Sequence, residues 1–175
     1  MNDAPWRASR YLPTTIQGRP DGLRYSARRL TMESEDIANV LGGRKVLGKT
    51  VRKPDDLADL IRKGLPASSV RSLAVKLSLG NAALLKKLGI PQRTMTRRLS
   101  KRSRLTPAES DRAVRFARVY AHVVAMIGDE ERAVQWLLTS NRALGGESPL
   151  DRLDTDVGAR EVEDVAGRIA YGVYS

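Results

Sequence analysis

Five cations and a hydroxyl crowd into one short stretch: Arg93, Thr94, Arg97, Arg98, Lys101 and Arg102. On a helix, Arg93, Arg97 and Lys101 share a face, with Thr94 and Arg98 beside it, while Met95 and Leu99 point towards a core. A guanidinium early on a helix lying in the major groove can grip a guanine edge with two hydrogen bonds. Cations further along, here Arg97, Arg98, Lys101, Arg102 and Arg104, would meet phosphates and displace their condensed counterions. The competing reading is a solvated basic helix in a small bundle, and the distribution of charge weighs against it. Residues 61–104 hold 12 Lys or Arg and no acid, so nothing nearby neutralises the stretch. Leucine, valine, isoleucine and methionine thread through it, so it should fold rather than trail as a tail. A folded, wholly basic segment points to a polyanion, most often nucleic acid.

Other chemistry finds little material. The chain has no cysteine and one histidine, His122, which excludes disulfides, zinc fingers and thiol chemistry and removes most metal and Ser–His schemes. His122 sits mid-helix beside apolar residues and reads as a packed or half-exposed side chain. Glu161, Glu163 and Asp164 have no evident partner group and read as a solvated face. The stretch "NRALGGESPL", Asn141 to Leu150, holds two adjacent glycines, but a nucleotide loop needs a lysine after its last glycine. Here Glu147 follows Gly146, and its carboxylate would repel a phosphate. A glycine pair closing one helix and a Ser-Pro opening the next is sufficiently explained as an elbow. No catalytic residue, metal or cofactor is assigned, and no enzyme activity is expected.

Two features suit a protein partner. Trp136 reads as core, although Trp is also a frequent interface anchor. The last residues, "RIAYGVYS", leave Tyr171, Gly172, Val173 and Tyr174 as an apolar, aromatic end better placed against a partner than in water. The plainer alternative is that Tyr171 closes the core and the rest frays.

The elements that must position these residues read as helices throughout, and the fold class is all-α. Residues 1–30 carry Pro5, Pro13 and Pro20 with little apolar periodicity, and are expected to form an extended or disordered arm. "TMESEDIANVLGG" predicts a short helix closed by Gly42 and Gly43. "RKVLGKTV" is ambiguous and could be extended. "KPDDLADLIRKG" predicts a helix opened by Pro54 and two Asp, and "PASSVRSLAVKLSL" another with Val70, Leu73, Ala74 and Leu77 inward. Asn81 is a plausible N-cap for a helix stopping at Gly89, and Pro91 starts a second one. Two short helices around a tight glycine turn are the helix-turn-helix pattern. Thr106 and Glu109 form a capping box for a long helix to Gly128, with Val114, Ala117, Ala121, Val124 and Ala125 as its buried seam. "DEERAVQWLLTS" follows with Ala133, Trp136 and Leu137 inward. A short turn is capped by Ser148, and a final helix, capped by Thr155, carries Val162, Val165, Ala166 and Ile169.

Net charge is +11, and it belongs to the middle third: residues 1–60 carry +3, residues 61–104 carry +12 and residues 105–175 carry −4. Length suits one or two small domains. No apolar run approaches the ~20 residues needed to span a bilayer, and residues 1–16 have no signal-peptide core. A soluble cytoplasmic protein without membrane contact is expected.

The run from "YAHVVAMIGDEERAVQWL" through "NRALGGESPLDRLDTDVGAREVEDVAGRIAYGV" resembles the toxin-binding domain of the Xre/MbcA/ParS antitoxins. The carrying residues are Gly128-Asp129, Ala133 to Leu137, Asn141, Ala143 to Gly146, Pro149-Leu150, Leu153 and Gly172-Val173. The preceding "TMTRRLSKRSRLTPAESDRAVRFARV" is similar to the Xre-type helix-turn-helix of the same proteins. Together the resemblance covers roughly residues 65–175. It implies four parts: an arm at 1–30, a helical region at 31–64 that could oligomerise, a DNA-binding domain at 65–105 and a toxin-binding domain at 106–175. It implies an antitoxin of a toxin–antitoxin system that occludes a RES-domain, NAD-consuming toxin and binds its own promoter. Trp136, Arg168, Tyr171, Gly172, Val173 and Tyr174 would then meet the toxin, while Arg93, Thr94, Arg97, Arg98, Lys101 and Arg102 meet double-stranded promoter DNA. Two-fold operators favour dimers, so a homo-oligomer is expected. The alternative is a free-standing repressor whose C-terminal domain only oligomerises.

Overall fold

The computed structural model describes residues 33–170, and the expected arm at 1–30 and the tail from Tyr171 lie outside the described residues. Nine α-helices and two 3-10 segments follow one another, with no strand among the described residues beyond a single backbone bridge between Pro66 and Arg104. The helices are α1 (33–40), α2 (Gly43–Leu47), α3 (Pro54–Lys63), α4 (Ser69–Lys76), α5 (Asn81–Leu88), α6 (Gln92–Ser100), α7 (Pro107–Ile127), α8 (Glu130–Leu138) and α9 (Asp156–Ala170). Arg142–Leu144 and Pro149–Asp154 are the 3-10 segments between α8 and α9.

The organising element is α7. Its 21 residues make it about 30 Å long. Helices α3, α4 and α5 pack on it from one side of the sequence, and α8, the second 3-10 segment and α9 from the other. Its seam is Ala113, Phe116, Ala117, Val119, Tyr120 and Val123, all buried. That corrects the expected stripe. Val114 and Ala117 are buried, but Ala121 and Val124 are only half-buried and Ala125 is exposed. Two sets of helices cover α7, so its buried arc is broader than one stripe of four-residue spacing.

Local signals place the ends. Pro54 opens α3 and Pro107 opens α7 at the first turn, where a missing N–H costs nothing. Thr106 and Glu109 close the expected capping box. Gly64, Gly89 and Gly128 end α3, α5 and α7. Three expectations shift. "RKVLGKTV" is not extended: Gly43–Leu47 forms α2, because the Gly42-Gly43 pair bends one helix into the next and tucks Leu47 beside the core. Gly80, not Asn81, is the N-cap of α5, and Asn81 is its first helical residue. Pro91 is likewise the cap of α6, with Gln92 first inside. Both shifts are by one residue, within the range over which helix ends are set by capping geometry.

Candidate DNA interface and partner-binding domain

Helices α5 and α6, joined through Gly89, Ile90 and Pro91, form the helix-turn-helix. Leu84, Leu85, Leu88 and Ile90 are buried beneath it, and Met95 alone is fully buried on α6, with Leu99 half-buried. The opposite face of α6 carries Arg93 and Arg97, continued by Lys101 at its C-terminal cap. All three are exposed, and among the described residues none of their side chains makes an ion pair or hydrogen bond. Thr94 is half-buried at the edge of that face.

The end of α6 is stitched to the α3–α4 connection. Leu105 N–H donates to the Leu65 carbonyl at 2.8 Å and Ala67 N–H to that of Ser103 at 3.1 Å. Arg104 donates to the Gly64 carbonyl at 2.7 Å. Arg104, expected at phosphate, is therefore engaged with backbone. Arg102 is exposed and holds a left-handed backbone, φ 50°, at the turn that closes α6. Glycine would take that conformation without steric cost.

Arg98 goes elsewhere. Its guanidinium donates to Glu109 Oε2 at 2.7 Å, and the two side chains are 16% and 11% exposed. The same oxygen accepts from the Thr106 amide at 2.7 Å and the Thr106 hydroxyl at 2.9 Å. Burial pushes the Glu109 carboxyl up, but the Thr106 amide, the Arg98 guanidinium and the Thr106 hydroxyl outweigh it and leave it below the ordinary range. The capping box was legible in sequence, but its reach back to Arg98 was not. The one available signal was that Glu109 is the first acid after Asp59.

The C-terminal domain is built around the elbow. Gly145 and Gly146 both have positive φ, 71° and 86°, which the reversal after Leu144 requires. Asn141 N–H donates to Glu147 O at 2.9 Å, Gly146 N–H to Asn141 O at 3.0 Å and Ala143 N–H to the Asn141 side chain at 2.9 Å. The amides of Leu144, Gly145 and Glu147 are also spent inside the loop. None of these amides remains for a phosphate, and Glu147 pairs with Arg152. The loop is an elbow.

Ser148 and Thr155 cap the following segments as expected, accepting from the amides of Asp151 and Gly158. Leu144, Leu150 and Leu153 are buried against α9, whose Val162, Val165 and Ala166 face inward. Arginines clamp this assembly to α7. Arg115 donates to the Asp154 carbonyl at 2.8 Å, and Arg118 reaches Asp156 at 3.2 Å and Glu163 at 2.9 Å. Glu163, read as part of a solvated face, thus has a structural partner, as does Glu161 on Arg152 at 2.6 Å. Two further pairs join the helix-turn-helix side to this domain: Lys87 with Asp151, and Lys76 with Glu130 at 2.8 Å. Of the residues expected at a partner, Trp136 is half-buried and packed on the core, and Arg168 is exposed near the end of α9. Tyr171, Gly172, Val173 and Tyr174 lie outside the described residues. No cluster of His, Asp or Glu among the described residues could hold a metal ion, and no helix there is long and apolar enough to cross a membrane.

A helix-turn-helix with an unpartnered basic face, carried on a helix that also anchors a second all-α domain, defines a DNA-binding protein with an appended interaction module. Sequence comparison makes the class specific. Residues 56–118 match the antitoxin Xre-like helix-turn-helix domain, and residues 122–172 match the antitoxin Xre/MbcA/ParS C-terminal toxin-binding domain. An antitoxin Xre of Yersinia enterocolitica is 39% identical over 120 residues, 68% of this chain and 81% of that protein. An antitoxin Xre of Photorhabdus laumondii is 36% identical over 117 residues, 66% of this chain and 79% of the relative. A protein of a Sphingobium species named Prs ADP-ribosylating antitoxin is 24% identical over 131 residues, 70% of this chain and 82% of its own length. The chain belongs to the Xre antitoxin family, and it is an antitoxin of a toxin–antitoxin system with a helix-turn-helix domain.

Proposed function

We propose that α6 binds the promoter of the chain's own operon, and that the domain from α8 to α9 occludes the active site of a RES-domain toxin that degrades NAD. The observation that carries the DNA half is the row of Arg93, Arg97 and Lys101, exposed and without acidic partners on a helix whose other face is anchored. Thr94 and Arg102 flank that row. The toxin half rests on the matched toxin-binding domain and the family resemblance. Arg168, Trp136 and the tail that follows α9 supply its contact surface. A homodimer would present two reading helices to a two-fold operator.

The relative named for ADP-ribosylation of Prs favours a second identity for the toxin. ADP-ribosyl transfer also draws on NAD, so the two toxins differ in what receives the ADP-ribose. Co-expression with the adjacent gene product separates them. The purified pair is followed by size-exclusion chromatography, with cellular NAD and protein-bound ADP-ribose measured when the antitoxin is withdrawn. A stable complex, NAD loss and no labelled protein support the RES reading. Labelled protein supports the transferase, and no complex sinks both.

A further inference from the structure

Helix α6 is only nine residues long, and Met95 and Leu99 are its apolar holds on the core. Both lie on one edge, and contacts on one edge leave a short helix free to roll about its axis. A base-reading side chain tolerates little of that, because its hydrogen bonds need position within about 0.5 Å and orientation within ~10–20°. Something must fix the roll, and Arg98 lies about 100° around the helix from Arg97.

The Arg98 guanidinium reaches 11 residues along the chain to Glu109, and Glu109 Oε2 gathers three donors at once: Arg98 from α6, and the amide and hydroxyl of Thr106 from the cap of α7. The carboxylate is 8% exposed. Burying such a pair offers little net stability, since desolvating both charges offsets their attraction. What the arrangement does supply is a rigid strut from the end of α6 to the stem helix of the molecule.

We propose that Glu109 is a positioning residue for DNA reading: it holds Arg98 away from the phosphates and uses it to set the roll of α6, so that Arg93, Arg97 and Lys101 face the groove together. This rests on the reading of α6 as the DNA-binding helix. Arg98 then adds nothing to the salt dependence of binding, although it sits between residues that do.

The test uses the full chain and its variants with a fluorescein-labelled duplex from immediately upstream of the coding sequence, and a scrambled duplex of equal composition. Binding is followed by anisotropy across a series of KCl concentrations. Arg97→Ala should lower the slope of log K against log salt by about 0.9, the loss of one phosphate contact. Arg98→Met should leave the slope unchanged, weaken the upstream duplex about tenfold and leave the scrambled duplex within about twofold. Glu109→Gln should do the same, because glutamine preserves the capping box but not the charge on Arg98. The double variant should be no weaker than the weaker single one, and Arg98→Lys should recover part of the loss.

A slope reduced by about 0.9 in Arg98→Met makes Arg98 a phosphate contact and overturns the proposal. Equal weakening on both duplexes reduces the pair to a fold-stabilising one and also overturns it. An unchanged slope and affinity in Arg97→Ala is a different failure, because it removes α6 as the reading helix and the proposal with it.

Discussion

The same residue, arginine, is used in opposite ways on the two sides of α7. On the helix-turn-helix side, Arg93, Arg97 and Arg102 have no acid within reach among the described residues. On the C-terminal side, Arg115, Arg118, Arg152 and Arg160 each hold a carboxylate. The difference is compositional, since one side is supplied with acids and the other has none between Asp59 and Glu109. A guanidinium whose partner lies in the same chain is consumed in assembling the fold. One left without a partner keeps its charge for a polyanion outside. Arg98 is the informative exception, an arginine of the DNA side consumed by the first acid of the C-terminal side.

The comparison breaks most sharply at Phe116, which is 1% exposed on α7 between the two sides. Phe116→Ala should cost about 3–5 kcal/mol and lower the melting of both sides together. Calorimetry reads this directly. Two separated transitions, one unshifted, would mean that the sides are independent units sharing only a chain.

A smaller, one-sided effect is expected at Gly158. A Cβ there would lie 2.1 Å from the Arg152 carbonyl oxygen, so the second 3-10 segment and α9 would have to part. Gly158→Ala should cost about 1–3 kcal/mol, weaken the toxin complex in size-exclusion assays and leave DNA affinity within about twofold. Loss of DNA binding as well would show that the two functions are coupled through α7.

The smallest effect belongs to Arg118. Its hydrogen bond, followed by its charge, holds the Asp156 carboxyl below the ordinary value of 3.8 against a small opposing effect of burial. With the folded value depressed, that contribution is present above pH 3.8 and is lost as pH falls through the folded value. Arg118→Met should move this part of the acid limb up towards the ordinary carboxylate range and lower Tm by no more than about 4 °C at neutral pH, as expected of a partly exposed pair. Circular dichroism against pH reads both, and an unmoved acid limb would assign the pair no thermodynamic role.

Much of this was legible before any fold was known, where the physics is local. Thr106 with Glu109, Pro54, Gly89 and Ser148 mark helix ends because capping involves residues within about four positions of one another. The elbow was legible for the same reason, as a glycine pair needing positive φ beside a Ser-Pro. The Gly42-Gly43 pair misled because a bend and a stop have the same local chemistry. Whether a helix resumes is settled by Leu47, which finds the core. Ala125 misled because four-residue spacing identifies a face without saying how far along the helix its neighbours extend.

By itself the sequence determined the all-α class, the helix-turn-helix, the elbow and the basic middle against a mildly acidic end, since all of these rest on neighbours in the chain or on charge counts. The tertiary structure alone decided which cations remain available. Arg98 and Arg97 are adjacent in sequence and alike in chemistry, yet one meets Glu109 and the other meets solvent. That choice depends on where α7 starts relative to α6, and a guanidinium on a flexible stem takes whichever acid the fold brings within about 3 Å.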